Sequence, residues 1–187
     1  MSKVITGNPG VGKHTVGKKL AKRLHLDLID INKIAVNSGI FEKKYETLDV
    51  DIIILKKILA KEITENSLVV GHLAPYVVSR KNVDIAVVLR RSPYELISIH
   101  RKRSYSQQKS IENLGSEILG VTYYDALHEF GRDKTFQIDT TLKSVSSVVK
   151  KIESLFQSGN LQEDKVDWLG MIADKNDLKR FFPTNFK

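Results

Sequence analysis

Apolar residues recur along this chain in two alternating rhythms. Short runs rich in β-branched residues read as five strands: Lys3–Thr6 (KVIT), Leu26–Ile31 (LDLIDI), Leu68–Gly71 (LVVG), Asp84–Leu89 (DIAVVL) and Phe136–Asp139 (FQID). Between them, apolar residues stand three or four apart. Val16, Leu20 and Leu24 mark a helix over Lys13–Leu24, and Ile52, Leu55, Leu59 and Ile63 another over Asp51–Glu65. A third is predicted over Ser144–Gln157, ended by Gly159.

Ser92-Pro93-Tyr94-Glu95 predicts a helix start, with Ser92 as cap, Pro93 in the first helical position and Glu95 completing a capping box. A basic, polar interval over Arg101–Gln108 then leads into a long helix to about Glu129, stopped by Gly131. Asn32–Val50 reads as polar and irregular, with Gly39, a Lys/Glu cluster and Tyr45. Val166–Phe182 carries Trp168, Leu169, Ile172, Leu178, Phe181 and Phe182, too apolar for a free tail, and is expected to dock as a helical segment.

Near-continuous apolar strands alternating with helices predict an α/β fold, a five-stranded parallel sheet covered on both faces. Ligands of such sheets bind beyond the carboxyl ends of the strands. Three segments stand at those ends: the loop Gly7–Thr15, the stretch from Asp30, and Gly71-His72. They are expected to converge.

Composition narrows the possibilities. The 187 residues fit one domain, and no apolar run is long enough to span a bilayer. Cysteine is absent, which excludes disulfides, thiolate catalysis and Cys-ligated zinc. The strand pattern begins at once and leaves no room for a signal peptide, so a cytoplasmic protein is expected. The formal net charge is +8, and Arg80–Lys109 holds eight cations against two acids. Such a segment calls for an anionic partner: nucleotide phosphates, RNA or both.

The loop "GNPGVGKHT", Gly7–Thr15, follows a strand and opens a helix. It has the spacing of a phosphate-cradling turn, in which successive backbone N–H groups and a helix N-terminus form a pocket of positive potential. Gly10 and Gly12 let the chain wrap closely, and Lys13 can reach the outer phosphates as a mobile charge. His14 stands where a hydroxyl for Mg²⁺ is usual, and imidazole suits that hard ion poorly. Thr15 follows, so the loop also reads as G-x-P-G-x-G-K-x-T, the spelling of nucleoside monophosphate kinases. His14 then occupies the tolerant slot, with its ring or N–H still able to meet phosphate.

Phosphoryl transfer needs a further cation clamp and an aligned acceptor. "IHRKRSY", Ile99–Tyr105, supplies Arg101 and Arg103, whose planar forks suit phosphate, in a place fit for a mobile lid. His72 could position a water, donate to phosphate or brace its loop. Arg90 either contacts phosphate or pairs with a buried acid. Asp49 and Asp51 read as helix caps or as acceptor-binding groups, and Asp30 as a holder of acceptor or metal-bound water.

These pieces together resemble the adenylate kinase isoenzyme 6 family of archaea and eukaryotes, through "ITGNPGVGKHTVGKKLA", "LDLIDINKIA", "KYETLDVD", "LVVGH", "VVLRRS", "RKRSY" and "ENLGSEILGVTYYDAL". The resemblance implies a P-loop kinase with a monophosphate-binding region at about 30–50, a lid at about 102–112 and, beyond it here, a docked C-terminal segment at about 162–183. It implies ATP held by Gly10, Gly12, Lys13, His14 and Thr15, with Arg103 reaching its phosphates, and Mg²⁺ as companion ion. Lys13, Arg103 and His72 are then the catalytic candidates, and Asp30, Asp49 and Arg90 the acceptor-binding ones. Broad nucleoside monophosphate kinase activity, ATPase activity and a role in small-subunit maturation follow, with a platform ribosomal protein and pre-ribosomal RNA as partners. An assembly factor using ATP with little kinase activity is the alternative, and a small-molecule kinase such as one for shikimate a third. Two departures stand out. Val70 replaces an acid two places before His72, and Asn32-Lys33 replaces a Gly-Asp pair.

Overall fold

The computed structural model describes residues 1–44, 47–159 and 162–183. Among them, five strands form one parallel sheet: β1 (Ser2–Thr6), β2 (Asp27–Asp30), β5 (Ser67–Val70), β6 (Val83–Arg90) and β7 (Thr135–Asp139). Their order across the sheet is β2-β5-β1-β6-β7. The register places Val4 beside both Val69 and Ala86, Asp30 beside Val70, and Arg90 beside Asp139. All strands therefore end along one edge, where Gly7, Ile31, Gly71 and Arg91 begin their connections. The strands and the covered parallel sheet agree with the sequence pattern.

Side-chain alternation along the strands splits the core between two faces. Val4, Val69, Ala86 and Val88 face one way, against Leu55 and Leu59 of α3 (Ile52–Glu62), Ala74 and Val77 of α4 (Ala74–Val77), and Ala126 and Phe130 of α7 (Val121–Phe130). Ile5, Val70, Val87 and Leu89 face the other, against Val16 and Leu20 of α1 (Lys13–Leu24) and Val148, Ile152 and Leu155 of α8 (Val145–Ser158). Each fully buried aliphatic contributes about 1.5–3 kcal/mol relative to exposure. Gly17 lets α1 lie close on the sheet, since a Cβ there would stand 2.7 Å from Val70 Cγ2.

The stretch read as irregular is ordered. Asp30, not Ile31, closes β2, and helix α2 (Ile31–Asn37) starts at once because Asp30 Oδ1 accepts from the N–H groups of Asn32 and Lys33. An antiparallel hairpin follows, β3 (Phe41–Lys44) with β4 (Thr47–Val50). Tyr45 and Glu46 lie outside the described residues. Asp51 then caps α3, accepting from Ile54 N–H at 2.9 Å. Lysine and glutamate at the hairpin positions hide its strand character, because both residues are depleted in strands.

The long helix expected up to Glu129 is two. Helix α6 (Gln107–Ile118) ends at Leu119, and Gly120, at φ 69°, turns the chain into α7. Before it, α5 (Pro93–Lys102) does start at Pro93, but Ser92 makes no side-chain cap. Glu95 accepts instead from Arg91 Nε at 2.6 Å and Leu142 N–H at 3.0 Å, so the capping box does not form.

The C-terminal segment crosses the outer edge of the sheet, where Asp164 N–H donates to Gln137 O at 3.2 Å. It then forms α9 (Trp168–Asp174) and α10 (Leu178–Phe181). Trp168, Ile172 and Phe181 pack against Leu96, Leu114 and Ile118 in a third apolar cluster on α5 and α6. No helix of the described residues is long and apolar enough to cross a membrane.

Candidate nucleotide site

A cleft of about 720 Å³ opens at the carboxyl edge of the sheet, within the range of small-molecule and cofactor sites. Its floor is the loop Asn8–Thr15. Gly7, Gly10 and Gly12 have φ of 137°, 99° and 96°, values a side chain strains to adopt. A Cβ at Gly7 would meet Leu89 O at 2.4 Å, whereas one at Gly12 would meet nothing within 4 Å. The loop is packed behind and open in front, where Gly12 caps the N-terminus of α1. The N–H groups of that first turn and their dipole make an anion cradle.

Lys13 lies within this cradle, only 5% exposed. Its ammonium donates to the Asn8 carbonyl at 3.2 Å and forms no ion pair among the described residues. Burial, reinforced by the nearby Arg103 charge and opposed by Asp30 and Glu117, pushes its pKa down to about 8. A buried cation satisfied by one neutral oxygen is poised for an anion.

The other walls come from segments distant in sequence. Asn32, Val36, Phe41 and Asp49 bring in α2 and the hairpin, His72 and Tyr76 the connection after β5, and Val121 and Thr122 the start of α7. A second hollow of about 410 Å³ shares Phe41, Asp49 and Val50. On the remaining side, the interval expected as a lid is a tight turn after α5 followed by the first turns of α6. Ser104 sits at φ 54°, and Ser106 caps α6 by accepting from Lys109 N–H at 3.3 Å. Arg103 is exposed yet lines the cleft, within 3.5 Å of Tyr105 Oη, and Lys109 lies over the Tyr105 ring at 4.7 Å.

Of the residues singled out from sequence, Gly10, Gly12, Lys13, His14, Thr15, His72, Arg103 and Asp49 line this cleft together. Asp30 sits just behind it, with Oδ2 3.1 Å from His14 Nδ1 and Oδ1 capping α2. Arg90 is the correction. It is 3% exposed, donates to Glu117 Oε1 at 2.9 Å, to Glu117 O at 2.6 Å and to Gln137 Oε1 at 3.0 Å, and does not line the cleft. Of its two readings the buried acid holds, because each of its three guanidinium nitrogens already donates to a buried partner. Three other cations of the basic stretch also divide between pairing and exposure: Arg80 pairs with Asp133 and Arg91 with Glu95, while Arg101 is exposed.

Sequence reasoning missed three supports. Asn8 fills a variable slot of the motif, Glu117 looks like any helix-surface acid, and His100 reads as a surface or packing residue. In the fold His100 is 1% exposed and braces the loop, with Nε2 3.3 Å from Pro9 O and Nδ1 3.1 Å from Ser110 Oγ. Only the placement of Glu117 three residues after the inward-facing Leu114 hinted that it faces inward.

The family described as an AAA domain matches residues 4–120. The "Putative adenylate kinase" of Thermococcus onnurineus is 31% identical over 166 residues, 88% of this chain and 89% of that protein. Its counterpart from Pyrococcus furiosus is 34% identical over the same shares. The chain belongs to this adenylate kinase family. The resemblance drawn from the motif series is thus borne out, and the P-loop kinase fold with it. Shikimate kinase from Bacteroides thetaiotaomicron shares the fold at a TM-score of 0.59 and 18% identity, covering 84% of this chain and 98% of that one.

In this member of the adenylate kinase family the cleft histidines differ in protonation from free imidazole. His72 is pushed down to about 4, first by burial and then by the Lys13 and His14 charges. His14 is lowered by burial against the raising effect of Asp30. His72 is therefore neutral at pH 7, not a cation. Below pH 4 both folded and unfolded chains carry its proton. Between about 4 and 6.5 only the unfolded chain does, so stability rises with pH across that window. His72→Gln should flatten this part of the stability profile relative to wild type, measured by thermal unfolding from pH 4 to 7. Parallel profiles would place His72 in an ordinary solvated setting.

Proposed function

We propose that the chain is an ATP:nucleoside monophosphate phosphotransferase, with AMP the first acceptor to try. The observation that carries the reading is the buried Lys13 ammonium in its glycine cradle, at one end of a cleft whose other end is built by α2 and the hairpin. A triphosphate tail lying on the loop would bring its outer phosphate to Lys13, with Gly10, Gly12, His14 and Thr15 supplying N–H and side-chain donors. Arg103, on the turn above, would fold over the migrating group. Both cations are worth more as charge spreads onto the phosphoryl oxygens, which is where they act on rate. Closure of the turn would exclude water.

An acceptor in the 30–50 region would meet Asn32 and Asp49, with Asp30 holding α2 in place. His72, neutral and facing Lys13, would orient the attacking oxygen through a hydrogen bond. The segment at 102–112 is the proposed lid, and 162–183 a docked support.

ATP implies Mg²⁺ in this family, and the side chains of the described residues form no ready site for it. Mg²⁺ takes hard oxygen ligands in octahedral array. Here His14 stands at the hydroxyl position, Val70 replaces an acid, and both carboxylate oxygens of Asp30 are engaged. The ion would be held by the nucleotide's own oxygens and water.

The test is ADP formation from ATP with AMP and with other monophosphates. Acceptor-dependent product supports the reading: two ADP per ATP consumed with AMP, and one ADP beside one diphosphate of the acceptor with any other monophosphate. Hydrolysis indifferent to any acceptor would favour the second reading, a cytoplasmic ATPase that assists small ribosomal subunit assembly. That alternative draws its support from Arg101 and Lys102, both exposed on the outer end of α5, a surface suited to a ribosomal protein bound to RNA.

A further inference from the structure

The phosphate loop is held from behind by groups that stand outside the cleft's chemistry. Both ends of the Asn8 amide are engaged. Nδ2 donates to Glu117 Oε2 at 2.8 Å, and Oδ1 accepts from Ser116 Oγ at 3.0 Å and Thr122 Oγ1 at 3.1 Å. The Asn8 carbonyl in turn accepts from Lys13. Glu117 is fully buried. Its Oε1 accepts from Arg90 Nε at 2.9 Å, Arg91 N–H at 3.0 Å and Trp168 Nε1 at 3.1 Å.

Trp168 opens α9, beyond residues 4–120 that match the AAA domain family. A continuous line of hydrogen bonds thus joins a peripheral helix to the ammonium in the cradle: Trp168, Glu117, Asn8, Lys13. The indole's apolar body packs with Leu114 and Ile118, which a phenyl ring could also do. What the N–H adds is orientation. With Oε1 held from three sides, the carboxylate cannot rotate, and Oε2 stays aimed at Asn8.

We propose that Glu117 and Trp168 are positioning residues for the phosphate loop, so that docking of the C-terminal segment sets the chain's affinity for a triphosphate. This rests on the loop being the ATP site. Coupling of this kind is reciprocal, so a bound triphosphate tightens the docking of α9. When Lys13 turns from the Asn8 carbonyl to a phosphate, the change passes along the line to the indole. Trp168 is the one tryptophan of the chain and reports it directly.

The experiment is calorimetric titration of ATP into wild type and Trp168→Phe, alongside the emission of Trp168 in wild type. Wild-type emission should change saturably with the calorimetric midpoint. Trp168→Phe should bind ATP roughly 3–10-fold more weakly, the scale of one hydrogen bond lost to a charged group's neighbourhood. A purely structural role would lower the unfolding temperature and leave affinity unchanged, and that result overturns the proposal. Absence of ATP binding to wild type would instead overturn the nucleotide reading. Should Trp168→Phe fail to fold, Asn8→Ala cuts the line at its other end: loss of the emission response at saturating ATP supports the proposal, and a full response refutes it.

Discussion

Lys13→Met should lower ADP formation by about 10²-fold or more while leaving the ligand-free protein at least as stable as wild type at pH 7. The two halves have one cause. The ammonium is 5% exposed, and among the described residues its one hydrogen bond goes to a neutral carbonyl. In the absence of ligand it carries most of the desolvation penalty of a buried charge and little of the compensation. In the transition state the same charge faces developing negative charge at short range in a water-poor cleft. Methionine keeps the unbranched, apolar stem and removes only the charge, so the fold loses little.

The pH dependence separates this from an ordinary core substitution. A lysine pushed down to about 8 is protonated in both folded and unfolded chains below pH 8, so the full penalty is present at neutral pH. Between about 8 and 10.5 the folded chain has released the proton and the unfolded chain has not, so stability rises with pH. The span corresponds to on the order of 3 kcal/mol. Thermal unfolding of wild type and variant at pH 7 and pH 10 checks it: the difference between the two proteins should shrink at the higher pH. A variant that keeps full turnover, or that is less stable by an equal amount at both pH values, would remove Lys13 from the role assigned to it.

Arg90→Met should destabilise the fold by about 3–5 kcal/mol, read as a lowered midpoint in urea, with the KM for the monophosphate acceptor changed little in the surviving folded protein. Glu117 is completely buried and Arg90 nearly so, and the pair is surrounded by Gln137, Trp168 and the backbone of β6. Removing the guanidinium leaves a buried carboxylate without its countercharge, which is far worse than removing both charges. Arg90→Met combined with Glu117→Met should therefore recover part of the loss in stability, though the phosphate loop then lacks its support from Glu117. A large rise in KM without loss of stability would return Arg90 to the substrate and undo the correction made from its burial.

The chemistry of the loop was legible because it depends on local order. A strand, glycines at set offsets, a lysine and a helix lie within a dozen residues, and the backbone N–H groups that bind phosphate need no distant partner. The three inner strands, β5, β1 and β6, were legible for a related reason: strands buried on both faces must be apolar at nearly every position. Gly131 and Gly159 as helix ends, Asp51 as a cap and the docked Val166–Phe182 segment followed from equally local signals. The hairpin at Phe41–Val50 did not, because its lysines, glutamate and aspartate give it the composition of a loop.

What the sequence by itself determined is the sheet, the order of its elements and the phosphate loop, since each is written in periodicity or spacing over short stretches. What only the tertiary structure decided is the fate of individual charges. Arg90 and Arg103 differ little as sequence, yet one is sealed against Glu117 and the other lines the cleft. Asp30 serves His14 and α2 at once, and Glu117 anchors Asn8 from 109 residues away. Charged side chains act through whatever packing brings within a few ångströms, and no window of sequence contains both members of such a pair.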